Sequence, residues 1–472
     1  MKFFIYLIFV ISISFNCLTA HELQDVKLVA QTIQHLSHPM DEIWPGFILS
    51  DTPTVIHFKN GHAYAFNSPQ LAGKWEARNI ADIPYYYASE QRELVQIPLH
   101  PQYKLAGIPA FVFSMDHGGA ADLSLLTLVH ERFHIHQFKN FTPIKGEAKY
   151  MDQYDLANLA LIELENRILQ QFLLSQTSGS KQHYLQQYVA VAETRRASLH
   201  PASLKWEDHL QRMEGMADYV SVKTYQVLGL LDPFDSAQKL LEMRAKKKGP
   251  SLYQDTTRGR HYFVGAALGL ALDFYHVDHW KTNVTEGTQS LHQLLANAMP
   301  MDKLEQKVRV AAAIKEFDYT TIHDQLGKLL DLEDQQFQEA QQAFARQEGI
   351  AICVTMPHQH STSGGRHTKS YQFEKEQFYF EESSTSITQD NCWKLELQKA
   401  PIVRETKDGS RTFKIQAKTQ ISLDERTYAL QEITGPLPFK TLLFKDPHGQ
   451  FETSLPGTIS RIGQELKIQF NA

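Results

Sequence analysis

Cysteine is almost absent. There are three in a chain of 472 residues, and only Cys353 and Cys392 lie beyond the first twenty positions. Zinc sites built from thiolates need closely spaced cysteine pairs, and none exists here. Positive charge is also in short supply: 47 lysines and arginines stand against 53 aspartates and glutamates, for a formal net charge of -6. That balance excludes the basic excess of a nucleic-acid-binding surface. Past the N-terminus no apolar run is long enough to read as a membrane span. Glycine-rich phosphate loops, the nucleophile elbow and the dinucleotide fingerprint are missing too, and no internal repeat is found.

The first twenty residues have the pattern of a secretory signal. Met1-Lys2 makes a positive start, Phe3 to Ile13 an apolar run too short to span a bilayer comfortably, and Leu18-Thr19-Ala20 a small-residue cleavage site before His21. The expectation is cleavage near Ala20 and an exported chain, periplasmic or secreted, with no transmembrane segment after processing. An uncleaved N-terminal anchor is the other reading. In an oxidising compartment Cys353 and Cys392 are expected to pair.

Three regions differ in texture. Up to about residue 120 the chain is mixed, with a short helix near Gln24 to Leu36. A hairpin follows, in which Val55 to Phe58 and Ala63 to Phe66 flank an Asn60-Gly61 turn. Ile108 to Phe113 reads as a strand, and Pro109 within it predicts a sheet edge. From about 121 to 346 leucines and alanines recur at three- and four-residue spacing, the period of helices. Beyond Gly349 the period drops to two: Trp393, Leu395 and Leu397, then Phe413 and Ile415, then Leu466 and Ile468 alternate with polar residues. Asp408-Gly409 predicts a hairpin turn there.

The chemistry gathers at His130-Glu131-Arg132-Phe133-His134. Two histidines four apart project from one face of a helix and can hold one zinc ion, while Glu131 beside them can reach a water without coordinating. Leu123, Leu125, Leu126, Leu128 and Val129 give that helix a buried face. Arg132 and His136 add a charged and a polar residue beside these positions. A catalytic zinc needs three protein ligands and an open position. Glu214-Gly215-Met216-Ala217-Asp218 supplies a third ligand in Glu214. Asp218, on the same helical face, is placed to accept the second ring N–H of a ligand histidine.

With these two motifs the chain resembles the gluzincin group of zincin metallopeptidases, in which H-E-x-x-H on one helix is completed by the glutamate of E-x-x-x-D on a later one. The resemblance implies zinc ligation by His130, His134 and Glu214, with Glu131 as general base and Asp218 supporting a ligand histidine. It also singles out Tyr262, with His261 behind it, as donor to a developing oxyanion. Both stand at the start of a helix whose Gly265, Ala266, Ala267 and Gly269 permit close packing. Glu163, Glu165 and Glu193 read as structural charges, His276, Asp278 and His279 as a polar helix end, and His358, His360 and His367 as a solvated loop. No Gly-x-Met-Glu-Asn element precedes the motif, so exopeptidase action has no support in the sequence.

The expected architecture is α+β. A mainly helical zincin-like domain over 21–348 follows the signal peptide (1–20), and a small all-β sandwich or barrel occupies 349–472. The expected activity is zinc-dependent hydrolysis of a peptide or protein substrate, the Ile108 to Phe113 edge pairing with its extended backbone. A non-catalytic extracytoplasmic binding protein and a zinc hydrolase of a non-peptide amide or ester are the competing readings.

Overall fold

The computed structural model describes residues 22–38, 42–95, 97, 99–116, 121–143, 155–229, 231–247, 252, 255–355, 360–366, 369–373, 376–388, 392–406 and 410–470. The expected signal segment, His358, His367 and the Asp408-Gly409 turn lie outside these residues. The chain is mixed α/β, with a largely helical stretch before an all-β C-terminal part. It divides into two compact units. The first comprises Met1–Lys248 and Thr256–Ile322, the second Gly249–Asp255 and His323–Ala472. No helix among the described residues is long and apolar enough to cross a membrane.

In the first unit, helix α1 (22–35) buries Val26, Val29, Ala30 and Ile33, an apolar stripe at helical spacing. The strands β1 (Thr54–His57), β2 (Ala63–Phe66), β3 (Glu76–Ile80), β4 (Ile83–Ala88), β5 (Leu99–Leu105) and β6 (Ile108–Ser114) form one sheet in the order β3-β4-β2-β1-β6-β5. The β1–β2 hairpin turns at Asn60-Gly61 as expected, and Gly61 takes φ of +91°, a left-handed conformation that favours glycine. One expectation fails. Ile108–Ser114 is not an edge, because β6 pairs in parallel with β1 on one side and antiparallel with β5 on the other. Pro109 is tolerated as the second residue of its strand, opposite Lys104. The edge belongs to β5, whose register shifts between His100 and Tyr103.

A short helix α2 (Arg92–Val95) precedes β5. After β6 the chain enters α3 (Ala121–Asn140), then α4 (Leu156–Leu174), α5 (Ser178–Arg196) and α6 (Pro201–Leu210). A single π turn over Gln211–Gly215 leads into α7 (Met216–Val227), and α8 (Pro233–Lys247) follows. A second π turn, Asp255–Gly259, opens α9 (Arg260–Phe274). Helix α9 meets the first π turn at two glycines. A Cβ added to Gly215 would lie 2.5 Å from the Cα of Gly265, and one added to Gly265 would lie 2.5 Å from the carbonyl oxygen of Gln211. Backbone touches backbone there, as the small residues of α9 predict.

In the second unit, most of the long helix Tyr319–Arg346 belongs with the strands: Phe337, Ala340 and Phe344 pack against Phe378 and Ile402. Helix gives way to strand between Arg346 and Ile350, where the sequence changes period, while the compact unit reaches further back along the helix. Among the described residues thirteen strands form one hydrogen-bonded sheet. Its inward-facing Trp393, Leu395, Leu397, Phe413, Ile415, Leu466 and Ile468 share one core. Cys353 and Cys392 do not form the expected disulfide. Cys353 lies mid-strand opposite Thr412, whereas Cys392 precedes the strand end paired with Gln450–Thr453, and the strand Arg411–Ile415 runs between the two.

The glycine contact yields a prediction. Overpacking costs about 1–3 kcal/mol, more than the roughly 1 kcal/mol an alanine gains in a helix. Gly265→Ala is therefore expected to lower unfolding stability. Gly179→Ala, where nothing lies within 4 Å of the added methyl, is expected to be neutral or stabilising. Urea denaturation of the two variants measures the difference.

Candidate metal centre

His130 and His134 lie on α3 one turn apart, and their imidazole rings meet edge to face with centroids 4.7 Å apart. The Nε2 atoms approach to 3.0 Å. Glu214, carried by the π turn, brings Oε2 to 3.4 Å from His130 Nε2 and 3.2 Å from His134 Nε2. Among the described residues these three form the one group of potential ligand atoms that converge. Burial raises the Glu214 carboxyl, but hydrogen bonds and charge from His130 and His134 outweigh it and hold the group well below the usual carboxylate range.

Each imidazole is held from behind. His130, 3% exposed, sets Nδ1 2.7 Å from Oδ1 of Asp218, 1% exposed. Asp218 thus takes the supporting position expected for it. His134 sets Nδ1 2.6 Å from Oε1 of Gln137, whose Nε2 donates to the carbonyls of Arg212 (3.2 Å) and Met213 (2.8 Å). With its amide nitrogen committed to two carbonyls, Gln137 presents only its oxygen to the ring. In the neutral rings the proton then sits on Nδ1 and a bare Nε2 faces Glu214, whereas the lowering of the Glu214 carboxyl belongs to the protonated rings, which donate to it from Nε2. Two lone pairs facing one another beside a carboxylate are a donor set suited to a cation. Sequence reasoning missed Gln137. Its position three residues after His134, on the same helical face, was the available signal.

Helix geometry also accounts for the charged residues around the motif. Arg132 points to the opposite side of α3, where it is buried and donates to the carbonyl of Leu49 at 2.8 Å and to Asp51 at 3.0 Å. Arg212, inside the π turn, is anchored to the carbonyls of Val284, Thr142 and Thr285. The π turn that carries Glu214 is thus fixed by Arg212 on one side and Gln137 on the other.

A cleft of about 400 Å³ opens onto the group, lined by Glu131, His134, Glu214, Tyr262 and Arg258 among others. Glu131 has no hydrogen bond or ion pair to any described residue. The Tyr262 ring lies parallel to that of His130, centroids 5.8 Å apart, and its hydroxyl accepts from Arg258 Nη2 at 3.3 Å. Burial, reinforced by Glu214, pushes the phenol up, so it keeps its proton. Arg258 also donates to Glu214 Oε1 at 3.2 Å. The β5 edge contributes Leu99 and Pro101 to the cleft wall.

Other candidates lie elsewhere. Glu163 pairs with Arg167 and Glu193 with His292. Glu165 joins Arg195, Arg260 and Glu207 in a buried network tying α4, α5, α6 and α9 together. His261 is 1% exposed, and neither ring nitrogen finds a partner among the described residues. His276, Asp278 and His279 fall between α9 and the next helix, Trp280–Glu286. No protein-family model, curated protein or solved structure matches this chain.

Two outcomes are expected. Removing a hydrogen-bond partner of a ligand histidine typically costs about 10- to 100-fold in metal affinity. Asp218→Asn and Gln137→Ala are each expected to weaken zinc binding by that factor, measured by chelator competition. The second concerns acid. Burial and then the neighbouring Arg260 lower the His261 pKa to about 3, while an unfolded histidine titrates near ~6.5. Between those values the unfolded chain holds the extra proton, so stability falls as pH falls, by about 1.4 kcal/mol per pH unit at most. His261→Phe is expected to lose less stability than the parent between about pH 6.5 and about pH 4, followed by urea denaturation across that range.

Proposed function

We propose that this chain is an exported zinc-dependent hydrolase of the zincin type, acting on peptide bonds. The observation that carries the reading is the convergence of His130 Nε2, His134 Nε2 and Glu214 Oε2 within 3.4 Å of one another, beside a cleft lined by Glu131, which has no partner among the described residues. Three protein donors and no fourth among the described residues match a catalytic rather than a structural zinc site, which closes its fourth position. That distinction favours an enzyme over a scaffold with a structural metal.

Zinc bound by the three side chains would acidify water and polarise a carbonyl oxygen. The chain's own groups do the rest. Glu131 accepts a proton from the attacking water on its free carboxylate and returns it to the leaving nitrogen, so the C–N bond breaks with the amine neutral. The protonated Tyr262 hydroxyl donates a hydrogen bond to the carbonyl oxygen as negative charge builds there. The β5 edge offers backbone N–H and C=O groups to an extended peptide, the role expected of the Ile108 strand. The same water chemistry would open other amides or esters, and the extended edge beside the cleft favours a peptide.

Glu131→Gln is expected to retain zinc and fold while turnover of a quenched peptide library falls about 10²- to 10⁴-fold. Equal turnover in parent and variant would remove Glu131 from the mechanism. Zinc content well below one per chain would remove the metal.

A further inference from the structure

The residues lining the cleft carry few charges. Glu131, His134, Glu214 and Tyr262 are already assigned, and the remaining ionisable side chains among the described lining residues are His209 and Arg258, of which only Arg258 is a permanent cation. Leu99, Pro101, Phe111, Ile135, Leu210 and Phe138 make much of the rest apolar, and Phe138 is 79% exposed.

Arg258 differs from the other arginines of this unit that the structure ties down. Arg195 is fully buried and engages two carboxylates, and Arg212 spends three nitrogens on backbone carbonyls. The Arg258 side chain is 66% exposed. Both of its hydrogen bonds, to Glu214 and Tyr262, leave from Nη2, so Nη1 and Nε are unused among the described residues. An ion pair so exposed stabilises little on its own. A guanidinium with donors left free, held at the mouth of a mostly apolar cleft, is placed to bind an anion through a charge-assisted hydrogen bond.

We infer that Arg258 binds a carboxylate of the substrate, one residue from the bond that is cut. One carboxyl group separates the guanidinium from the two imidazoles. Nη2 lies 3.2 Å from Glu214 Oε1, and the other oxygen of that carboxyl lies within 3.4 Å of both imidazoles. One extended residue spans about 3.3–3.6 Å. Two sources supply that chemistry: the free α-carboxylate of a C-terminal residue directly after the cut bond, or an aspartate or glutamate side chain at that position. The apolar remainder of the wall suits a hydrophobic side chain next to it. The inference rests on the hydrolase reading above for its substrate, but its binding test does not require turnover.

The Glu131→Gln full-length protein, with and without added zinc, is titrated calorimetrically with four probes: acetyl-Phe-Leu as the free acid and as the amide, and acetyl-Phe-Glu-amide against acetyl-Phe-Gln-amide. The expected result is about 10- to 100-fold tighter binding of one carboxylate-bearing member over its neutral partner. The first pair reports the α-carboxylate, the second the side chain. In Arg258→Met the preference is expected to fall below about twofold, and Arg258→Lys, which keeps the charge but not the several donors of the guanidinium, is expected to restore part of it. Circular dichroism confirms that each variant folds; should Arg258→Met not fold, Arg258→Lys decides alone through its reduced preference. No carboxylate preference with Arg258 in place, an unchanged preference in the variants, or no measurable binding of any probe would overturn the inference. Turnover of the same peptides by the parent is read separately. Arg258-dependent carboxylate binding without hydrolysis sinks the hydrolase reading alone, and hydrolysis without carboxylate preference sinks this inference alone.

Discussion

The site depends on where two protons sit. An imidazole offers a lone pair from one nitrogen only while the other holds a hydrogen, and here each Nδ1 is matched to a fixed acceptor: Asp218 behind His130 and Gln137 behind His134. Those acceptors point both Nε2 atoms at Glu214. Were either ring to rotate or change tautomer, a proton would stand between the donors and the convergence would be lost. The two supports differ in kind. Asp218 brings a carboxyl group into a buried position, whereas Gln137 accepts through an amide and uses its other end to hold the turn that carries Glu214. Orientation of His134 and placement of Glu214 are therefore a single structural event.

Backbone geometry brings the second half of the site into range. A π turn is a wider loop than an α turn and is found often at functional positions. Glu214 sits in one such turn and Arg258 in another. The Gly215–Gly265 contact clamps the first against α9, and α9 in turn carries Tyr262 over the His130 ring. Behind it, Arg260 binds Glu165 in the buried network that joins four helices. The surface of the cleft is thus fixed by features that lie wholly beneath it.

Local patterns were legible in the sequence to the extent that they were local. Two histidines four apart, and two acids four apart, declare a shared helical face without reference to the rest of the chain. The pairing of the two motifs could be proposed from donor chemistry. Gln137 belonged to the same face and was overlooked because an amide is an unusual partner for such a ring. Strand order was not legible, since β1 finds β6 through parallel pairing between Thr54 and Phe111. Nothing in either segment states that β5 will lie outside them, so Pro109 pointed to the wrong strand as the edge. The same limit explains Cys353 and Cys392. Alternation identifies their strands but cannot say that another strand will lie between. Nor does the change of period after Gly349 report that the preceding helix packs its Phe337 and Phe344 against the strand residue Phe378.

The spread of the candidate ligands along the chain sets an order in time. His130 and His134 share one helix, so they are neighbours once that helix exists, within the microsecond scale of helix formation. Glu214 arrives only when the turn before α7 has docked against α3, a contact between distant parts of the chain that carries a loop-closure cost and is correspondingly slow. A nascent chain therefore offers a cation two nitrogens, and the full set of donors appears only after tertiary assembly. Tight metal capture would then mark the completion of folding, and a scavenged ion would bind weakly to the unfinished chain.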